Sequence, residues 1–227
     1  MRKNGEAPCG AGQPKESRMK LYNSLGPNPH TVRMFAVEKG IDLPLQAIDV
    51  MGGEHRRPPY SVKNPMMQTP AFETDDGQVI VELTAICEYL EELFPRPPLI
   101  GSTPGERAET RMWVRRIDLN VLEGRSRAGR ATGGREFYID KIKLLSVSAA
   151  QELSAIVEDR ILWLDEQMAG KSYFCGDRYT LADIMFYCFM AFRAPEGGSS
   201  LPAGCKHLPT WFERVKARPA AQATSGD

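Results

Sequence analysis

The run Tyr179-Thr180-Leu181-Ala182-Asp183-Ile184 concentrates hydrogen-bonding groups around one residue. The Thr180 hydroxyl can accept from the Asp183 amide while the Asp183 carboxylate reaches back to the Thr180 amide, which writes a helix start. Tyr179 and Ile184 flank it as a hydrophobic staple. Asn28, in the turn Leu25-Gly26-Pro27-Asn28-Pro29, has an amide that suits a helix cap ahead of a proline. Glu82 reads as a carboxylate at a helix N-terminus, and Pro70 as a proline at a strand start, where a missing amide is harmless. At helical spacing Arg111 and Arg115 share one face, and Met112 and Arg116 the next, which suits salt bridging between domains or subunits. The cysteines, Cys9, Cys87, Cys175, Cys188 and Cys205, are odd in number and have no C-x-x-C spacing. That pattern supports neither a metal site nor a disulfide framework, and it suits a reducing cytosol.

The elements that must position these groups follow from pattern. At 227 residues and 42% hydrophobic content the chain can bury a core as one large domain or two small ones. Lys plus Arg and Asp plus Glu are 29 each, which gives no footprint for nucleic acid or an anionic membrane. Apolar runs are broken by charge before about 18 residues, so no bilayer span is expected. Met1-Arg2-Lys3-Asn4-Gly5-Glu6 lacks the apolar stretch of a signal peptide.

Residues 1–18 read as a flexible leader. A strand at 19–24, a helix from His30 to Lys39 stopped by Gly40, and a strand at 45–50 make a βαβ unit with parallel strands. Runs at 68–73 and 79–81 around Asp75-Asp76-Gly77 make a hairpin, followed by a helix from Thr84 to Phe94. The Pro95, Pro97, Pro98 cluster marks a linker, 96–102, between a domain at 19–95 and one at 103–220, with a tail at 221–227. The second domain reads as all-α, with helices at 106–123, 137–168, 181–192 and 209–217. Between the first two, 124–135 reads as a basic, Gly-rich loop, either a solvated connection or the wall of a cleft.

The order β-α-β then β-β-α is that of a thioredoxin-like domain. Followed by an all-α half with the Gly176-Asp177 turn, the Thr180 cap and the apolar run Ile184 to Met190, it resembles the cytosolic glutathione transferases over residues 19–218. The resemblance rests on the joint order of motifs. It implies an α/β plus all-α fold, a thioredoxin-like glutathione-binding domain followed by the family's helical C-terminal domain.

It also implies roles for matching positions. Pro70 matches the family's cis-proline, and the backbone of Thr69 before it would pair with the cysteinyl part of glutathione like an added strand. Glu82 matches the acidic half of the Glu-Ser pair that holds the γ-glutamyl end, whose amino group is cationic. Leu83 departs from the pattern: it stands where the family has Ser and cannot donate to the ligand's carboxylate. Thr84 offers a hydroxyl one position later, beside helix amides that attract a carboxylate. His55, Arg56 and Arg57 lie where relatives contact the glycyl carboxylate, and Gln68 is a further neighbour of the ligand.

The family activates the thiol, otherwise mostly protonated with a pKa of about 8.5, from the turn after the first strand. Where Ser- and Thr-dependent classes keep a hydroxyl this chain has Gly26, while its Pro-Asn-x-His-x-Val string resembles the bacterial and fungal branch whose Asn contacts sulfur. Asn28 is therefore the first choice for the catalytic group, Ser24 the second and Tyr22 the third; a pure capping role for Asn28 stays open. No cysteine lies in this turn. The electrophile is expected against the all-α domain at Arg111, Trp113 and Arg115, with Trp163 and Trp211 in the core.

The resulting expectation is an enzyme with glutathione as co-substrate and no metal, acting on a small hydrophobic or aromatic electrophile, or reducing a disulfide or peroxide, or cleaving an ether. Family habit implies a cytoplasmic homodimer, without nucleic-acid or membrane partners. Leu83 and Gly26 favour the competing reading, a non-catalytic protein-interaction module; an isomerase acting on a cis-unsaturated diacid is a third.

Overall fold

Four short strands carry the first half of the computed structural model, which describes residues 19–192, 194 and 198–225. The leader at 1–18 with Cys9, and residues 226 and 227 of the tail, lie outside the described residues. Strand β1 (Lys20–Asn23) leads into helix α1 (Pro27–Glu38) and returns as β2 (Leu45–Ala47), parallel to β1 with Leu21 opposite Leu45. Gly40, at φ 67°, ends α1 in a Schellman turn: its amide bonds the Val37 carbonyl at 3.0 Å, and the Ile41 amide bonds that of Ala36 at 2.9 Å. A 3-10 turn (Glu54–Arg56) and helix α2 (Tyr60–Lys63) precede the hairpin of β3 (Ala71–Glu73) and β4 (Val79–Val81). The sheet order is β2-β1-β3-β4.

Register sorts this sheet into two faces. Leu21 pairs with Phe72 and both face the main core beneath α1, whereas Tyr22 pairs with Ala71 and packs on Ile48 and Tyr60. Helix α3 (Leu83–Leu93) follows β4 directly. Its Glu91 meets Lys39 at 2.5 Å, and Lys39 Nζ also donates to the carbonyls of Phe94 (2.6 Å) and Pro97 (2.8 Å). This clasp fixes the path of the inter-domain connection.

The rest is helical. Helix α4 (Pro104–Ile117) starts from a Thr103–Glu106 capping box, then passes through a π-turn (Asp118–Leu122) into α5 (Glu123–Ala131). The expected loop at 124–135 is thus mostly helix. The glycine content that suggested a loop serves packing: a Cβ on Gly124 would meet Val157 Cγ2 at 2.7 Å, and Ala128 and Ala131 are buried. The expected single helix at 137–168 is two, α6 (Arg135–Tyr138) and α7 (Val147–Gln167), because Ser146 caps the latter by accepting from the Ala149 amide at 3.1 Å.

Helix α8 (Leu181–Ala191) runs through the core with every residue from Leu181 to Met190 buried. Around its start Phe174, Phe186 and Trp211 stack with ring centroids 5.3 to 5.5 Å apart. The Asp183 carboxylate accepts from the Thr180 amide (3.0 Å) and hydroxyl (3.2 Å), the Phe174 amide (3.1 Å) and Trp211 Nε1 (2.9 Å). Tyr179 packs against the core cluster that holds Ile184 and also lies under the Arg218 guanidinium, 3.7 Å from its ring centroid. After α9 (Leu208–Lys216) the chain does not trail off at 220: α10 (Pro219–Ala223) packs Ala220 and Ala221 into the core, so the expected tail is structured through its first residues.

Candidate glutathione site

The first turn of α1 is built from Pro27, Asn28, Pro29 and His30, with Gly26 at φ 146° as its uncapped N-cap. An α-helix normally offers several unpaired amides at this end. Here two prolines carry none, and the His30 amide bonds the Gly26 carbonyl at 3.1 Å. The Asn28 amide is left, with no backbone acceptor among the described residues. Asn28 lies inside the helix and makes no side-chain capping bond, so its carboxamide is not spent on the helix end.

Facing it is the turn before β3. The Thr69-Pro70 bond is cis, and the Gln68 carbonyl is held by Asn64 Nδ2 at 2.8 Å and the Tyr60 hydroxyl at 2.5 Å. Ser24 Oγ and Thr69 Oγ1 share a hydrogen bond of 2.5 Å, which ties the turn after β1 to this one. The third wall is the start of α3, where Glu82 sits at φ 70°, ψ 121° without a side-chain cap. A non-glycine residue there costs of order 1–3 kcal/mol, a strain the surrounding structure must hold in place.

These walls enclose one groove, lined by Asn28, Asn64, Gln68, Thr69, Pro70, Glu82 and Leu83. The sequence pointed to six of them. Asn64 was missed; its signal is its position four residues before Gln68, whose carbonyl it binds. Tyr22 does not line the groove: its hydroxyl donates to Glu73 on the other face of the sheet. His55 is buried in the 3-10 turn with Nδ1 lacking a partner, and its pKa is lowered by burial, then by Arg56 and Lys141. Arg56 Nη1 donates to the Lys141 carbonyl at 3.4 Å, and Arg57 Nη2 to that of Gly52 at 3.0 Å.

Thr84 opens instead on a larger cavity of about 400 Å³ between α3 and α4, lined also by Glu88, Arg111, Val114, Arg115 and Asp118. Arg111 is spent on Glu88 in a two-pronged pair of 2.8 and 2.6 Å, the inter-domain bridge its helix face suited, and Arg115 lies 3.6 Å from Asp118. Trp113 is not on that wall. It is buried against Phe174, with centroids 5.7 Å apart, because α4 turns Trp113 and Ile117 inward. Among the described residues the thiols do not compete for chemistry: burial pushes Cys188 up to about 12 and Cys205 up to about 11, and raises Cys87 and Cys175.

Two family models cover more than half of the chain: the glutathione S-transferase N-terminal domain over residues 25–93, and the C-terminal domain over 146–219. The chain belongs to the cytosolic glutathione S-transferase family. A solved glutathione S-transferase domain-containing protein from Marinobacter aquaeolei VT8 superposes with a TM-score of 0.80 at 34% identity, covering 88% of this chain and 98% of its own. Glutathione S-transferase 2 of Saccharomyces cerevisiae is 29% identical over 215 residues, 93% of this chain and 91% of its own. Maleylacetoacetate isomerase of Pseudomonas aeruginosa is 32% identical over 174 residues, 73% and 77% of the two chains. These relatives support a glutathione transferase enzyme over a non-catalytic module. In the transferase, no group of three or more His, Cys, Asp or Glu among the described residues could hold a metal, and no described helix is long and apolar enough to cross a membrane.

Proposed function

We propose that glutathione lies in the groove with its cysteinyl part along Thr69, its γ-glutamyl amine on Glu82 and its thiol over the first turn of α1. The observation that carries this reading is that Asn28, Gln68, Thr69, Pro70, Glu82 and Leu83, from three separate elements, line one groove. The Asn28 carboxamide and backbone N–H both donate to the sulfur, stabilising the thiolate over the thiol. At pH 7 an unassisted thiol of pKa about 8.5 is only about 3% ionised, so a pKa lowered by two units makes most of it nucleophilic. Ser24 holds Thr69 and is the secondary candidate at the sulfur.

The ionised sulfur attacks an electrophile bound toward the all-α domain, forming a thioether as the leaving group departs with the bonding pair. With Arg111 paired to Glu88 and Trp113 buried, the side chains expected to receive that substrate are otherwise engaged, which favours a small apolar acceptor over a strongly anionic one. Disulfide reduction by glutathione needs no protein thiol and is compatible with the same groove. Gln68 completes the lining, whereas Thr84 opens on the neighbouring cavity and His55 is buried in the 3-10 turn, so neither is assigned a ligand contact. We place the protein in the cytosol as a homodimer, without metal, nucleic-acid or membrane partners, in keeping with its family.

Ultraviolet difference titration of bound glutathione from pH 5 to 10 tests this. A thiolate band of lowered pKa, moved back up by Asn28→Ala, is expected; a lowered pKa untouched by the substitution moves the role to Ser24 or other donors, and absence of the band overturns the reading.

A further inference from the structure

Helix α10 lies antiparallel against α1 and is tied to it at both ends. Arg218, the N-cap of α10, forms a two-pronged ion pair with Glu38 at the end of α1, at 2.6 and 2.8 Å, while stacking on Tyr179. Thr224, the C-cap of α10, is buried and bonded to His30 in the first turn of α1, Nε2 to Oγ1 at 3.0 Å. The Thr224 hydroxyl has a second partner that bears on the direction of this bond. The one hydroxyl proton of Thr224 goes to the Ala220 carbonyl at 2.8 Å, so His30 Nε2–H donates and Thr224 accepts. The ties are eight residues apart on α1, about 12 Å.

We propose that α10 is a positioning element for the thiol site, with Thr224 acting through His30 to hold the first turn of α1, and with it Asn28, at the sulfur. This rests on the assignment of Asn28 above. His30 is two residues from Asn28, in a turn whose N-cap makes no side-chain bond and whose prolines can donate none. A tie from the other domain therefore bears on where the Asn28 donors point. A donor displaced by an ångström loses much of its preference for the ionised sulfur while the groove still holds the rest of the tripeptide.

The test compares wild type, Thr224→Val, Thr224→Ser, Glu38→Gln and Asn28→Ala in the full chain, reading the pKa of bound glutathione and the pH profile of kcat/KM. Thr224→Val, which keeps the side-chain volume, is expected to raise the bound-thiol pKa by about half a unit or more. The KM for glutathione should stay within about twofold, and the activity lost at pH 6.5 should return at pH 9, where the thiol ionises unaided. Thr224→Ser should restore the wild-type profile, and Glu38→Gln should shift it the same way by less; the latter decides the matter if Thr224→Val does not fold. A raised pKa in Asn28→Ala with none in Thr224→Val and Glu38→Gln overturns the positioning role alone. No change in Asn28→Ala overturns the assignment of Asn28 and this proposal with it.

Discussion

Lys39 and Glu91 oppose each other at 2.5 Å with 0% and 1% of their side chains exposed, an ion pair sealed where α1, α3 and the inter-domain connection meet. Its charges are fully engaged, since Glu91 also accepts from the amides of Leu99 (3.3 Å) and Ile100 (2.9 Å). The burden of desolvating both ions is offset only while both are present. Lys39→Met or Glu91→Leu alone should lower unfolding free energy by about 3–5 kcal/mol, and the double variant should recover a substantial part of that. Urea denaturation of the three variants checks it; an additive double variant would contradict a coupled pair.

Asp183 makes stability depend on pH. Complete burial outweighs its four donors and raises its carboxyl from 3.8 to about 6. The folded state therefore holds a proton that the unfolded state releases between these values. Stability is greatest below about pH 4 and falls as pH rises to about 6, by about 3 kcal/mol from this group. Asp183→Asn should flatten that slope and, because its NH₂ cannot accept from the Thr180 amide, cost about 1–3 kcal/mol at pH 8. Denaturation curves at half-unit steps from pH 4 to 8 read both effects.

Leu83 lines the groove where a hydroxyl would serve the ligand's carboxylate. Leu83→Ser should tighten glutathione by about ten- to a hundredfold, the worth of one hydrogen bond to a charged group. The side chain also packs partly on the core, so some loss of melting temperature should accompany the gain. Isothermal titration with glutathione measures the first, and unchanged affinity would argue against a carboxylate at this position.

Gly124 tests why a glycine-rich stretch is helical. The added methyl of Gly124→Ala improves intrinsic helix propensity by about 1 kcal/mol but must displace Val157. Overpacking wins if the α5–α7 contact is rigid, giving a net loss of about 1–2 kcal/mol, whereas the pair Gly124→Ala with Val157→Ala should lose less than Val157→Ala alone. Thermal melts of the three proteins separate the outcomes.

Much of this architecture was readable in the residues. Gly40 as a helix stop, Asp76-Gly77 as a hairpin turn and the Thr180 box each state a local geometry that tertiary contacts only reinforce. Helix α5 was not readable in that way, because Gly and Arg lower the local signal and the stabilising contact, Gly124 on Val157, spans 33 positions. The orientation of Trp113 was available but unused: Thr110, Trp113 and Ile117 recur at helical spacing, so Arg111 and Arg115 had to point elsewhere. Within the groove, Pro70 and Glu82 stood out through motif order, whereas Asn64 carried only its place four residues before the Gln68 carbonyl it binds, a spacing too common to single it out.

The two prolines that open α1 also decide what the site refuses. A helix end with a full set of amides is a general receptor for phosphate and sulfate, whose several hard oxygens each take a donor. Subtracting the donors of Pro27 and Pro29 leaves a lone N–H, enough for one large, soft sulfur and too few to strip a phosphate of its water. Oxyanions such as phosphate are thereby disfavoured at this turn without any repelling charge. Turnover should be insensitive to inorganic phosphate at constant ionic strength, and competitive inhibition by it would show that the missing amides are replaced from elsewhere.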